Sequence, residues 1–308
     1  MIALTDMDTI QLEITNRCIN NCANCTRFVG LVKKPFFMDF NIFKKAVDSM
    51  VDYPAMTGFQ GGDPLLHPEF EKMCDYALSK IPKEQLGLWT CFPRGHEKYR
   101  EVICRTFGYI FLNDHSRNDI YHHPFLVATR DYIPSKDKLY AMVDKCHFQR
   151  SWSASINPKG AYFCEMAASF AMLYDLSFGW EVEKGWWNRT PKDYTSQIQE
   201  FCQYCGGALF LKRRPSVDTI TDISITNLDK FKKHGINIDN CEMYNHGLIT
   251  EDSQEELASY KDQGYRNLIA MRYGIYLSVN ERGFNEPYLL RNAFDSENLL
   301  SRYRRRYA

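Results

Sequence analysis

The sequence contains no apolar run approaching the roughly 20 residues that a membrane-spanning helix needs. Neither sign of charge is in excess: 38 Lys and Arg balance 38 Asp and Glu. No long-range field therefore draws the chain to nucleic acid or to an anionic membrane, and neither is expected as a partner. The N-terminus carries Asp6 and Asp8 where a secretory signal would have a basic stretch and an apolar core. These features predict a cytoplasmic protein. Internal repeats and low-complexity linkers are absent as well. At 308 residues the chain can bury one large core, or a core plus a small appended domain. Cysteine, by contrast, is plentiful, with eleven residues. A reducing compartment argues against disulfides, so metal ligation is the better explanation, and the spacings must show it.

The first 150 or so residues alternate strand and helix patterns, as in an α/β sheet or partial barrel. Residues 9–15 alternate as a strand. Ile42, Phe43, Ala46, Val47 and Met50 recur at helical spacing behind Asp39, a suitable N-cap. A short strand at 56–60 runs into a Gly-Gly turn, and Pro68 suits the first turn of a helix bearing Phe70, Met73, Cys74, Ala77 and Leu78. Strands are expected at 86–92 and 109–113, while 114–133 has no readable pattern. A β-hairpin is expected over 151–164, turning at Asn157-Pro158-Lys159-Gly160, with a helix following from 165 to about 176. Residues 179–189 are tryptophan-rich and irregular, and a polar helix then leads to Cys202 and Cys205. Beyond Pro215 only short helices near 227–233, 254–261 and 287–302 are suggested. The expected divisions are 1–145, 146–215 and 216–308.

Cys18, Cys22 and Cys25 form a C-x3-C-x2-C run directly after the first strand. Three thiolates cannot close a tetrahedral zinc site alone. They can hold three irons of a [4Fe–4S] cube and leave the fourth iron open. A zinc knuckle drawing its fourth ligand from elsewhere is the alternative. Gly61-Gly62-Asp63-Pro64 ends the next strand. Together the two motifs resemble the radical S-adenosylmethionine (SAM) superfamily. The resemblance covers roughly the first 115 residues and implies an α/β fold, a partial (β/α)6 barrel with cluster and substrate at the carboxyl ends of the strands. The general rule for ligands in parallel α/β sheets gives the same placement. The resemblance further implies that SAM binds the open iron and is cleaved reductively to a 5′-deoxyadenosyl radical. An external low-potential electron donor, such as flavodoxin or ferredoxin, is implied with it. Gly61 and Gly62 would let backbone carbonyls approach the SAM ammonium, with Asp63 the shorter acid in place of the family's glutamate and Pro64 completing the turn. Asn24 stands where the family usually has an aromatic or apolar residue, and could hydrogen-bond the adenine edge. Asn113 falls where family members often place a ribose contact; capping a loop is the other reading.

Cys146, Cys164, Cys202 and Cys205 supply four more thiolates, which suit either zinc or a fully ligated [4Fe–4S] cluster. The arrangement resembles the twitch-type auxiliary-cluster domain of radical SAM enzymes, which implies a small C-terminal domain of β-hairpin plus helix around a second [4Fe–4S] cluster. That cluster would accept an electron or hold the fold together. Of the remaining cysteines, Cys74 and Cys104 fall on apolar helix faces and are expected in the core. Cys91, near the end of the third strand, is placed to line a site. Cys241 is the leading candidate for a thiol that returns a hydrogen atom to a substrate radical, with Cys91 in reserve; plain packing is the bland reading of both. His122 and His123 diverge in an extended segment and read as polar loop residues, Trp180, Trp186 and Trp187 as packing, and the Arg302–Arg306 tail as a solvated helix end. The nearest resemblance is to the aminocyclitol dehydrogenase and aminoglycoside epimerase members. Missing a leader-binding segment before the first strand, the chain resembles enzymes of small molecules. The expected reaction is dehydrogenation at a carbinol carbon of a sugar, aminocyclitol or polyol. The alternatives are epimerisation with a cysteine hydrogen donor, peptide modification, and a zinc-binding module without activity.

Overall fold

Alternation along residues 9–15 places Ile10, Leu12 and Ile14 on one face of a strand and Gln11 and Glu13 on the other. The computed structural model describes residues 1–249 apart from 33, 113–114, 116–119 and 152. The predicted helices at 254–261 and 287–302, the Arg302–Arg306 tail and Asn113 lie outside the described residues. The first strand is β1 (Thr9–Thr15), followed by β2 (Met56–Gly61), β3 (Leu86–Thr90), β4 (Tyr109–Leu112) and the short β5 (Tyr121–His122). Then come β6 (Ala154–Asn157), β7 (Gly160–Tyr162), β8 (Arg214–Pro215), β9 (Thr221–Ile223) and β10 (Cys241–Met243).

Six of these form one sheet in the order β4-β3-β2-β1-β6-β7. β1 to β4 and β6 are parallel, and β7 pairs antiparallel with β6. The sheet thus has the six strands expected of the partial barrel, filled differently. Four arrive in chain order, and the hairpin supplies the last two on the far side of β1. β9 pairs with β10, and β5 with β8, in two separate ribbons.

Helices α1 (Phe40–Ser49), α2 (Phe70–Lys80) and α3 (Arg100–Thr106) connect the parallel strands. Asp39 caps α1 by accepting from the Asn41 and Ile42 N–H groups, satisfying donors that the first turn leaves open. Pro68 falls two residues ahead of α2 rather than inside its first turn. These helices cover the apolar face of the sheet: Phe59, in register with Leu12, packs edge-on against Phe43 and Phe107. The chain then passes through α4 (Thr129–Tyr132), α5 (Lys136–Asp144) and α6 (His147–Ser151) to the hairpin. α7 (Glu165–Leu173) is buried on all sides, so it packs within the molecule rather than upon it. The tryptophans serve as core, as expected. Trp186 is fully buried, and the Trp187 indole N–H donates to Ser49 O at 2.9 Å, fastening the loop to α1. α8 (Thr195–Phe201) delivers Cys202 and Cys205, and α9 (Ile225–His234) ends at Gly235, whose φ of +59° supplies the left-handed turn.

Candidate active site and cysteine clusters

The first three cysteines lie on the loop leaving β1, and the Gly-Gly turn ends the neighbouring β2. The two are bonded directly. Gly62 N–H donates to Thr15 O at 2.8 Å, and Asp63 N–H to Arg17 O at 2.7 Å. A Cβ on Gly61 would lie 1.8 Å from Thr15 O, at a φ of +152°, and one on Gly62 would lie 2.2 Å from Arg17 O. Both glycines are therefore needed to seat the turn on the cysteine loop itself. Asp63 is fully buried. Its carboxylate accepts from the Thr90 hydroxyl (2.9 Å), the Cys91 N–H (2.8 Å), the Cys91 thiol (2.9 Å) and the Leu65 N–H (3.0 Å). One acid thus ties the turn after β2 to the end of β3. Burial raises its pKa against the pull of those donors.

Cys18, Cys22 and Cys25 are close enough to feel one another's charge. The side-chain contact with Cys91 holds the Cys18 thiol below its usual range, while burial pushes Cys22 and Cys25 up. His115 Nδ1 lies 3.3 Å from Cys22 Sγ. The fold therefore brings Cys91, the reserve candidate, to the first cluster. Cys241 instead opens β10, half-buried, with burial alone raising its thiol to about 11. Asn24 departs from expectation. It is 3% exposed, its amide N–H donates to Asp222 Oδ2 at 2.7 Å, and its carbonyl accepts the Asp222 N–H at 2.8 Å. That amide fixes the cysteine loop to β9 instead of facing an adenine edge.

Two further anchors were not apparent from the sequence. Arg27, two residues past Cys25, is buried and donates to Glu165 Oε2 at 2.8 Å and to Gln11 Oε1 at 2.6 Å. Glu165 follows Cys164, so this ion pair joins the two cysteine sets. His122 and His123 point apart, as expected of an extended pair, but each is engaged. His122 Nδ1–H donates to Ala23 O at 2.7 Å and His123 Nε2–H to Gly206 O at 2.9 Å. On the sheet face opposite Leu12, Glu13 Oε2, Gln60 Oε1 and Ser155 Oγ are buried without a hydrogen-bond partner. Glu13 pairs in register with Gln60, and Ser155 with Gln11, so these side chains share one face of three adjacent strands.

Cys146, Cys164, Cys202 and Cys205 line one cavity. Burial raises all four thiols, Cys164 to about 12, and they feel one another's charge. Gly207 serves two of them, its N–H donating to Cys205 Sγ and its carbonyl accepting from Cys146 Sγ, both at 3.3 Å. Among the described residues no three His, Cys, Asp or Glu side chains close on a point fit for one metal ion. Cys74 is in the core, and Cys104 packs against it half-buried.

No protein-family model matches the sequence, and no curated protein matches it. Among solved structures, the chain is similar to BtrN in complex with AdoMet and 2-DOIA. The TM-score is 0.43 and the identity 16%, over 64% of this chain and 88% of that one. It is also similar to selenomethionine BtrN in an open conformation, with TM-score 0.39 and 13% identity over 64% and 86% of the two chains. No described helix is long and apolar enough to cross a membrane.

Proposed function

We propose that this chain is a radical SAM enzyme with a second, four-cysteine [4Fe–4S] site, and that it dehydrogenates a small polar substrate at a carbinol carbon. One observation carries the reading: the three-cysteine loop after β1 is hydrogen-bonded onto the Gly-Gly-Asp turn after β2, at the carboxyl ends of parallel strands. When bound, the three-cysteine cube and SAM would supply a 5′-deoxyadenosyl radical that takes a hydrogen atom from substrate. Cys18, Cys22 and Cys25 would hold that cube. Gly61 and Gly62 would present their backbone to SAM, and Asp63 keeps the turn rigid. The four cysteines lining one cavity suit a fully ligated cube that would receive the substrate's electron. An external low-potential donor would supply the electron for SAM cleavage.

A polar substrate fits the unpaired Glu13 Oε2, Gln60 Oε1 and Ser155 Oγ atoms, which are costly to bury unless something bonds to them. Epimerisation is the second reading, because a thiol, Cys91, does lie beside the first cluster. Anaerobic reconstitution tests the proposal. About eight irons are expected, and Cys18→Ala, Cys22→Ala and Cys25→Ala combined should remove about four of them and all 5′-deoxyadenosine formation. About four irons with stoichiometric zinc would refute the second cluster. A ketone product supports dehydrogenation, whereas solvent deuterium at an inverted carbon would establish epimerisation.

A further inference from the structure

We propose that Cys91 is a displaceable fourth ligand of the first cluster, closing its open iron until SAM takes its place. The inference rests on the radical SAM reading and concerns this chain's own residues around that cube. The fold brings four thiols together here, not three. Cys91 follows β3, its thiol is hydrogen-bonded to Cys18, and it also lies 2.9 Å from Asp63 Oδ2. Its backbone is fixed in that place, since Asp63 accepts both its N–H and the neighbouring Thr90 hydroxyl. Asp63 in turn donates its own N–H to the cysteine loop at Arg17 O. The fourth thiol is therefore held on the same hydrogen-bonded frame as the other three.

Four thiolates complete a [4Fe–4S] cluster, whereas three leave an iron exposed to loss on oxidation. Ligation by Cys91 involves no change of oxidation state. The thiol gives its proton to the Asp63 carboxylate already in hydrogen-bond reach, and one S–Fe bond forms. On displacement by SAM that bond would break and the proton would return from Asp63 to the Cys91 sulfur. Cys91 would thus guard the cube between turnovers, in competition with SAM.

The test uses the anaerobically reconstituted full chain, oxidised mildly with ferricyanide and followed by EPR and iron count. Wild type without SAM should keep its cube. Cys91→Ala should lose one iron per chain and show the [3Fe–4S]⁺ signal, and added SAM should suppress that loss. Cys91→Ser, which keeps a donor to Asp63 but no thiol, should lose iron as well, and Cys104→Ala should behave as wild type. Equal iron loss from wild type and Cys91→Ala, with both cubes present beforehand, would overturn this proposal alone. A first site that takes up no iron at all would overturn the radical SAM reading and this proposal with it.

Discussion

Replacing Arg27 by Met removes the buried cation that joins the first cysteine loop to α7. The pair's side chains are only 2% and 4% exposed, so neither partner can turn to water. The variant strands the Glu165 carboxylate with the Ser153 hydroxyl as donor at 3.0 Å, and Gln11 Oε1 loses its 2.6 Å partner. Removing one member of a buried pair costs about 3–5 kcal/mol, a large part of the roughly 5–15 kcal/mol that holds a domain together. At about 2–4 °C per kcal/mol, the thermal midpoint should fall on the order of 10 °C. Glu13 adds little to that loss, because a carboxyl deprived of the Arg27 charge keeps its proton.

Anaerobic scanning of wild type, Arg27→Met, Glu165→Met and the double variant reads the effect directly. A buried pair replaced by two apolar side chains of similar volume is often close to neutral, so the double variant should recover more than half of the loss. A drop under about 3 °C in Arg27→Met would refute the burial argument. A double variant no better than the single ones would show that packing, not charge pairing, holds this junction.

Two other outcomes follow from single positions. Burial holds the Glu13 carboxyl up to about 7 against an ordinary 4.5; between those values the folded chain keeps a proton that the unfolded chain has lost, so stability falls as pH rises through that window. At about 1.4 kcal/mol per pH unit this amounts to about 3 kcal/mol, and Glu13→Gln should flatten the profile, stabilising at about pH 8 and not at about pH 4; an unchanged slope would mean that Glu13 is ionised in the fold. At Gly62 a side chain would meet Arg17 O at 2.2 Å, so Gly62→Val should lose iron from the first site as well as SAM affinity. Full iron content with weakened SAM binding would show instead that the turn approaches SAM but does not seat the loop.

The sequence made local chemistry legible and left long-range pairing hidden. β1 spans the strand predicted from alternation, and Asp39 caps α1, because both depend on neighbours within a few residues. The C-x3-C-x2-C run was visible for the same reason, as spacing. The bond from Asn24 to Asp222 could not be read from the sequence, because its partner lies 198 residues away. Arg27 was overlooked although one signal was present: a guanidinium two residues past the third cysteine of the spaced run. Elimination put Cys241 ahead of Cys91, since elimination cannot know that β3 lies beside β2 and brings residue 91 to Asp63. The hairpin was readable from its turn, but its place against β1 is decided by the sheet as a whole.

Holding two irregular loops at a fixed separation is a problem that strand pairing cannot solve, because neither loop belongs to a ladder. This chain solves it with side chains that reach loop backbone and with one buried ion pair. His122 and His123 are adjacent in an extended segment, so their side chains leave in opposite directions. That divergence, which disqualifies them as a metal pair, lets one hold Ala23 beside Cys22 and the other hold Gly206 beside Cys205. Burial pushes both imidazoles down, His123 to about 3, so each remains neutral and each bonded nitrogen keeps the hydrogen that its carbonyl accepts. Arg27 and Glu165 make the second junction, from Cys25 to Cys164. With one link set by two adjacent residues and the other by a 2.8 Å ion pair, the separation of the two sites is built into the chain.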